Sequence, residues 1–198
     1  MVEDYRQQIK EIKEYAKEND VPIMMEEGIN FLTTHIIKYK IKNILEIGTA
    51  IGYSAIMMAL VNPDIKITSI ERDHERYLEA LKNVKKFNLE NRITLIYKDA
   101  LEVKLEDEFD LIFIDAAKGK NMTFFNEFSK NLKENGTIIT DNINFHGYVQ
   151  MDESEIQSRN LRGLVRKIKD YIKFLKENES YKTDFYDIGD GIAVSTKL

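Results

Sequence analysis

Apolar positions near the start of the chain recur at helical spacing. Tyr5, Ile9, Ile12 and Ala16 share one face, and Asn19-Asp20 ahead of Val21-Pro22 stops the run. A second helical pattern, Ile29, Leu32, Ile36 and Ile37, leads to Tyr39, so N-terminal helices are expected over about residues 2–40. Val21-Pro22-Ile23-Met24 between them reads as extended, because a residue before proline avoids the helical region. From Ile41 the pattern alternates. Short apolar runs at 44–47, 65–70, 93–97, 109–114 and 137–140 predict strands. The 53–61 segment and a segment capped by Asp73 and burying Tyr77, Leu78, Leu81 and Val84 predict helices. Phe124, Phe125, Phe128 and Leu132 predict another helix, ending at Asn135-Gly136. A long helix follows from about 158 to 176. Two final strands, 183–188 and 192–196, join through Gly189-Asp190-Gly191, a turn that favours an antiparallel hairpin.

This alternation predicts an α/β fold: a doubly wound, mostly parallel, seven-stranded sheet with an antiparallel C-terminal edge hairpin, in one domain spanning 1–198. No repeat, low-complexity stretch or linker interrupts it. The 109–114 run is almost wholly apolar, as expected for a strand covered on both faces. In such sheets ligands bind beyond the carboxyl ends of the strands, so the chemistry is sought there.

Composition narrows the classes. The 198 residues carry no cysteine, which excludes disulfides, zinc thiolate sites and thiol catalysis. Residues 1–10 include Glu3, Asp4, Arg6 and Lys10 and form no apolar signal core, and no run is apolar enough to span a bilayer. A soluble, cytoplasmic protein without a membrane partner is expected. The net charge of −5 gives no general case for nucleic acid, but Arg159, Arg162, Arg166, Lys167, Lys169, Lys173 and Lys176 form a local basic segment.

At the strand ends, Glu46-Ile47-Gly48-Thr49-Ala50-Ile51-Gly52-Tyr53-Ser54 brings glycines to a strand-to-helix turn. There the backbone can approach a ligand and free amides favour an anion. The spacing is G-x-x-x-G rather than the G-x-G-x-x-G of dinucleotide sites. Glu71 lies 23 positions after Gly48 and suits a ribose diol of either NAD or an adenosyl group. Asp99 and Ala100 close the third strand, where they could border an adenine ring. Asp115 ends the fourth strand, and Asp141-Asn142 ends the fifth. If those strands are adjacent, three hard oxygen donors converge in a way that suits Mg²⁺ or another divalent cation, with Lys118 within reach of the same group. His35, His74 and His146 show no metal spacing and read as structural or surface residues, although His146 lies in the expected substrate loop. No G-x-S-x-G elbow or P-loop is present.

Three stretches and a turn together, Leu45 through Ser54, Phe109 through Lys118, Asp141-Asn142 and Gly189-Asp190-Gly191, resemble the metal-dependent, catechol-type O-methyltransferases. Within that superfamily, Val21-Pro22-Ile23-Met24, the run from Gly48 to Ile56 and Arg162-Gly163-Leu164-Val165-Arg166-Lys167-Ile168 resemble the bacterial tRNA 5-hydroxyuridine methyltransferases. The resemblance implies S-adenosylmethionine as methyl donor, with Met24, Gly48, Ser54, Glu71, Ala100 and Asp115 as cofactor contacts. It implies Asp115, Asp141 and Asn142 as magnesium ligands, Lys118 as base, and a homodimer. The implied reaction is 5-hydroxyuridine to 5-methoxyuridine at the wobble position of tRNA, with the anticodon loop as partner. Relatives acting on phenols usually carry a tryptophan after Asp-Asn. Here that loop is Ile143-Asn144-Phe145-His146-Gly147-Tyr148, and the chain has no tryptophan.

Chemistry at the metal does not separate the two acceptors. A catechol and 5-hydroxyuridine both present two adjacent oxygens able to chelate one cation, which would lower the hydroxyl pKa for a positioned base. The long C-terminal helix offers a different clue. Leu161, Leu164, Val165, Ile168, Ile172 and Leu175 form an apolar face, and Arg159, Arg162, Arg166, Lys169, Lys173 and Lys176 form an adjoining basic stripe. That stripe is either a solvated edge or a phosphate track, with Arg159, Arg162 and Arg166 as substrate contacts. The alternatives to a tRNA enzyme are a small-molecule catechol or phenol O-methyltransferase, and a binding protein on the same scaffold.

Overall fold

A computed structural model describes residues 5–198; residues 2–4 of the expected first helix, and Glu3 and Asp4 of the expected non-signal start, lie outside them. Seven strands, numbered along the chain, run in the sheet order third, second, first, fourth, fifth, seventh, sixth. The chain divides into two compact units, Met1–Val103 and Lys104–Leu198. Among the described residues no helix is long and apolar enough to cross a membrane.

In the first unit, α1 (Arg6–Glu18) buries Ile12 and Ala16, and Tyr5 ahead of it stacks on Phe87 with ring centroids 5.0 Å apart. Helix α2 (Glu26–Tyr39) opens with Glu26 and Glu27 against the positive end of its dipole and closes at Lys40 in the left-handed conformation. It buries Gly28, Ile29, Leu32 and Ile36, whereas Ile37, expected inside, is 65% exposed. His35, partly buried on α2, has its pKa pushed down to about 4 by desolvation and the nearby Lys38, so it is neutral at physiological pH.

The parallel strands β1 (Asn43–Ile47), β2 (Lys66–Glu71) and β3 (Ile93–Tyr97) follow the expected positions. They alternate with α3 (Tyr53–Leu60) and α4 (His74–Lys86). Asp73 caps α4 as its sequence suggests, its side chain accepting from the Arg76 N–H at 3.0 Å. The buried face of α4 is rotated from the expected one. Ala80, Asn83 and Val84 are inside, while Leu78 and Leu81 are exposed. Asn83 turns inward because its amide donates to the Ile51 carbonyl at 2.9 Å, a polar contact that hydrophobic periodicity does not register.

In the second unit, β4 (Phe109–Ile114) and β5 (Leu132–Asp141) pair in parallel. The expected helix before β5 is shorter than its apolar pattern. Helix α5 (Asn121–Phe128) passes into a 3₁₀ turn, Ser129–Asn131, and Leu132 already belongs to the strand. Asn131 fixes that change of direction by donating from its amide to the carbonyls of Leu105 and Asp107, both at 3.0 Å. Asn135 is left-handed, but inside β5, where the register slips between Phe109↔Leu132 and Leu111↔Thr137. The Asn-Gly pair is therefore a strand irregularity and not a helix stop.

Helix α6 (Arg159–Glu177) is capped by Ser158 and buries Val165, Ile168, Tyr171 and Leu175. Strands β6 (Tyr181–Tyr186) and β7 (Ile192–Lys197) form the expected antiparallel hairpin, and β7 also pairs antiparallel with β5. Tyr171 is a polar pin in this core. It is 1% exposed, its ring meets Phe125 edge-on at 6.3 Å, and its hydroxyl shares a 2.7 Å hydrogen bond with Thr140. Substituting Tyr171→Phe should cost about 1 kcal/mol, the net worth of one buried neutral hydrogen bond. Urea unfolding checks this, and an unchanged midpoint would mean that the bond contributes nothing.

Candidate active site

Each unit gathers polar groups at the C-terminal ends of its parallel strands. In Met1–Val103 the turn after β1 carries positive φ at Gly48 (100°), Ala50 (46°) and Gly52 (85°). It is fastened to β2: the amides of Gly48 and Thr49 donate to the Ile70 carbonyl at 3.0 and 3.3 Å. Glu71, at the end of β2, completes the fastening. Its Oε2 accepts from the Ala50 amide at 2.8 Å, and its Oε1 accepts from those of Arg72 and Asp73 at 2.9 and 2.8 Å. Three amide bonds keep the carboxylate buried and oriented while leaving acceptor capacity on Oε2 for a ligand hydroxyl.

The end of β3 lies next to it, with the Lys98 amide donating to the Glu71 carbonyl at 2.9 Å. There Asp99 accepts from the Leu101 amide at 3.0 Å and lies 3.6 Å from the Arg72 guanidinium, and Ala100 follows, 8% exposed. Gly48, Glu71, Asp99 and Ala100 are therefore brought together. Met24 is buried and packs on Gly28 at the start of α2.

Ser54 is also buried, but its hydroxyl faces inward and donates to Glu46 Oε1 at 2.5 Å. What it offers a ligand is its amide, in the first turn of α3, where N–H groups lack intrahelical partners. Glu46 itself was not singled out by sequence reasoning. It is fully buried in the middle of β1 and receives hydroxyl hydrogen bonds from Ser54 and Ser69, and Ser69 in turn shares a 2.5 Å bond with Thr49. The signal available in the sequence was a charged residue inside an otherwise apolar strand. A buried carboxylate so supplied with donors fixes the turn above it.

In Lys104–Leu198 the pairing Ile114↔Thr140 sends Asp115 and Asp141 off adjacent strand ends side by side, in strands spaced about 4.8 Å apart. Lys118, in a 3₁₀ turn, donates to Asp115 Oδ1 at 2.6 Å. Asn142, left-handed at φ 60°, donates from Nδ2 to Asp141 Oδ2 at 2.5 Å. Asp141 is 3% exposed, and its pKa is pushed up to about 7. Burial is the main cause and the Asp115 charge the second, with Lys118 and the Asn142 amide opposing them.

Two carboxylates and an amide suit a hard ion, and the pKa of Asp141 is raised chiefly by burial and then by the Asp115 charge. Among the described residues no three His, Asp or Glu side chains form a cation cage; the third donor here is Asn142, whose amide must turn over to present its oxygen. With that rotation the residues fit.

The basic stripe of α6 is largely engaged by the chain itself. Arg162 donates to the carbonyls of Ile156 and Gln157 at 2.5 and 3.1 Å. Arg166 pairs with Glu153 at 2.6 Å, and Lys169 reaches the Met151 carbonyl at 3.3 Å. These contacts tie the 151–157 segment to the helix, a use that charge patterning could not distinguish from a phosphate track. Arg159 is exposed at the helix start.

Comparison with known proteins places this geometry among relatives. A family model described as O-methyltransferase matches residues 2–198. The chain is similar to a candidate caffeoyl-CoA O-methyltransferase of Arabidopsis thaliana, 30% identical over 193 residues that cover 94% of this chain and 82% of the relative. Its structure is similar to that of a candidate caffeoyl-CoA O-methyltransferase from Staphylococcus aureus, with a TM-score of 0.91 and 38% identity over 98% of this chain and 95% of the other. An SAH-bound methyltransferase of Podospora anserina shares the fold, with a TM-score of 0.86 and 23% identity over 96% and 88% of the two chains.

The Asp141 shift has a consequence for stability. Its folded pKa of about 7 exceeds the ordinary 3.8, so the folded state keeps the proton over that interval and the unfolded state does not. Without added cations the protein should lose stability as pH rises from about 4 to about 7, and no further above that. Urea unfolding at about pH 5 and about pH 8 should show this slope in the wild type and a flatter one in Asp141→Asn. Equal slopes would contradict the assignment.

Proposed function

The chain belongs to the O-methyltransferase family, and on that premise we propose that it transfers the methyl group of S-adenosylmethionine to a hydroxyl of a small aromatic acceptor carrying two adjacent oxygens. Asp115, Asp141 and Asn142 would hold a divalent cation, magnesium or a similar hard ion. The observation that carries this reading is the pairing of Asp115 with a buried Asp141 whose pKa stands near 7.

The residues divide the work. Glu71 receives a ribose hydroxyl on Oε2, and the turn from Gly48 to Gly52, fixed from below by Glu46, presents amides to the donor. Asp99 and Ala100 border the base. A cation bound by the oxygen set supplies Lewis acidity to the acceptor hydroxyl. Lys118 would take up the acceptor's proton at Nζ after giving up the proton it shares with Asp115. The S–CH₃ bond breaks as the C–O bond forms, leaving S-adenosylhomocysteine and a methyl ether. Holding the reactants in line removes an entropic part of the barrier.

Two observations support a small aromatic acceptor. Two of the relatives named above are candidate caffeoyl-CoA enzymes. The loop after Asn142 also brings Phe145 and Tyr148 within 5.9 Å of each other as an aromatic surface. The second reading is a tRNA bearing 5-hydroxyuridine in its anticodon loop. It is favoured by the loop's lack of tryptophan and by exposed Arg159, Lys167 and Lys173 on α6.

Purified protein with S-adenosylmethionine and Mg²⁺ should methylate a catechol such as caffeic acid, and a chelator should stop it. Asp141→Ala should lower kcat about 100-fold or more while S-adenosylmethionine affinity changes less than about threefold. Turnover that survives the chelator would overturn the cation assignment. Methylation of 5-hydroxyuridine tRNA in place of the catechol, detected by nucleoside mass spectrometry, would decide for the second reading.

A further inference from the structure

The turn between β6 and β7 carries a carboxylate that the chemistry above leaves unused. Asp190 has a side chain only 9% exposed, and its Oδ1 accepts from the His146 amide at 2.6 Å. Its carbonyl accepts from the Asn144 amide at 2.9 Å, and the Gly191 carbonyl accepts from that of Ile143 at 3.0 Å. Three bonds in sequence thus lay residues 143–146 onto the turn.

That loop needs holding. Asn142, Phe145 and His146 have φ of 60°, 46° and 55°, a left-handed backbone disfavoured for side-chain-bearing residues. Asn144 braces it from the other side, donating to Asp187 Oδ1 at 3.0 Å and accepting from Gln150 at 3.2 Å. Its side chain fills the open face of Gly191, where a Cβ would come within 2.6 Å of Asn144 Cγ. The other oxygen of Asp190 is odd for a plain turn anchor. Oδ2 is buried without a hydrogen bond, and His146 Nδ1, 3.4 Å away, forms an ion pair with it only when the imidazole is protonated. A half-satisfied buried carboxylate is a costly way to hold a turn, and such residues cluster where function requires them.

We propose that Asp190 is a positioning residue for the acceptor: its Oδ1 fixes the left-handed loop that carries Asn142 at one end and the Phe145–Tyr148 surface at the other. The kinetic consequence rests on the O-methyltransferase reading above; the structural consequence does not. With the loop released, the acceptor loses its surface while the groups that receive the methyl donor in Met1–Val103 are untouched.

The test compares Asp190→Ala, Asp190→Asn and Asp190→Glu in the full chain, by hydrogen exchange at the His146 amide and by steady-state kinetics. In Asp190→Ala, exchange at His146 should quicken about 100-fold. Acceptor KM should rise about tenfold or more, with S-adenosylmethionine affinity unchanged within about twofold. Asp190→Asn keeps an oxygen acceptor at the same reach and should restore both readouts. Asp190→Glu keeps the charge but displaces the oxygen, so it should behave as Ala does and replaces it if the Ala variant fails to fold. A protected His146 in the Ala or Glu variant, or an Asn variant as impaired as Ala, would overturn the proposal. If the wild type methylates neither a catechol nor tRNA, the functional reading fails while the exchange data still decide the role of Asp190.

Discussion

Two carboxylates released side by side from neighbouring parallel strands, one of them buried, cannot both carry charge without a cation to share. Ile114↔Thr140 fixes the spacing of Asp115 and Asp141, and the depth of Asp141 removes the water that would screen them. The surrounding structure answers that constraint in part. Lys118 neutralises Asp115, and Asn142 offers its amide to Asp141. One lysine serves two acids, and burial first and the Asp115 charge second push the pKa of Asp141 up. On the proposed function, this is the place where a hard divalent ion would bind, held between Asp115, Asp141 and Asn142.

The first unit is organised differently. Its acids are already supplied with donors: Glu46 by two hydroxyls, Glu71 by three amides, Asp99 by an amide and a guanidinium. Nothing there calls for a metal. The outcome is a rigid turn with acceptor capacity to spare, suited to reading the neutral hydroxyls of a nucleoside. One unit is built around unmet charge and the other around met hydrogen bonds, which matches the different demands of activating an acceptor and orienting a donor.

Much of this was legible in the sequence where one cue decided the outcome. The parallel strands were readable because apolar runs ended in glycine or an acidic residue, and the neighbouring positions of Asp115 and Asp141 followed once β4 and β5 were taken as neighbours. The misjudged elements share a cause, which is competition from specific polar contacts. Asn83 rotated the buried face of α4, and Asn131 ended α5 early, so that Leu132 and the Asn135-Gly136 pair passed into β5. The same blindness hid Glu46, whose burial depends on serines 8 and 23 residues away. It also left the basic stripe of α6 ambiguous, because Arg162 and Arg166 answer partners outside the helix. Periodicity reads what a side chain avoids; it does not read which partner a polar group will find.

On the proposed function, the Asp115–Asp141 pair becomes fully ionised when a divalent cation binds. Calorimetric titration of Mn²⁺ into the protein at about pH 6.5, in buffers of different ionisation enthalpy, counts the protons released on binding. Binding accompanied by release of roughly three-quarters of a proton, abolished in Asp141→Asn, is the predicted result. Tight binding with no proton release, or undiminished binding to Asp141→Asn, would contradict it.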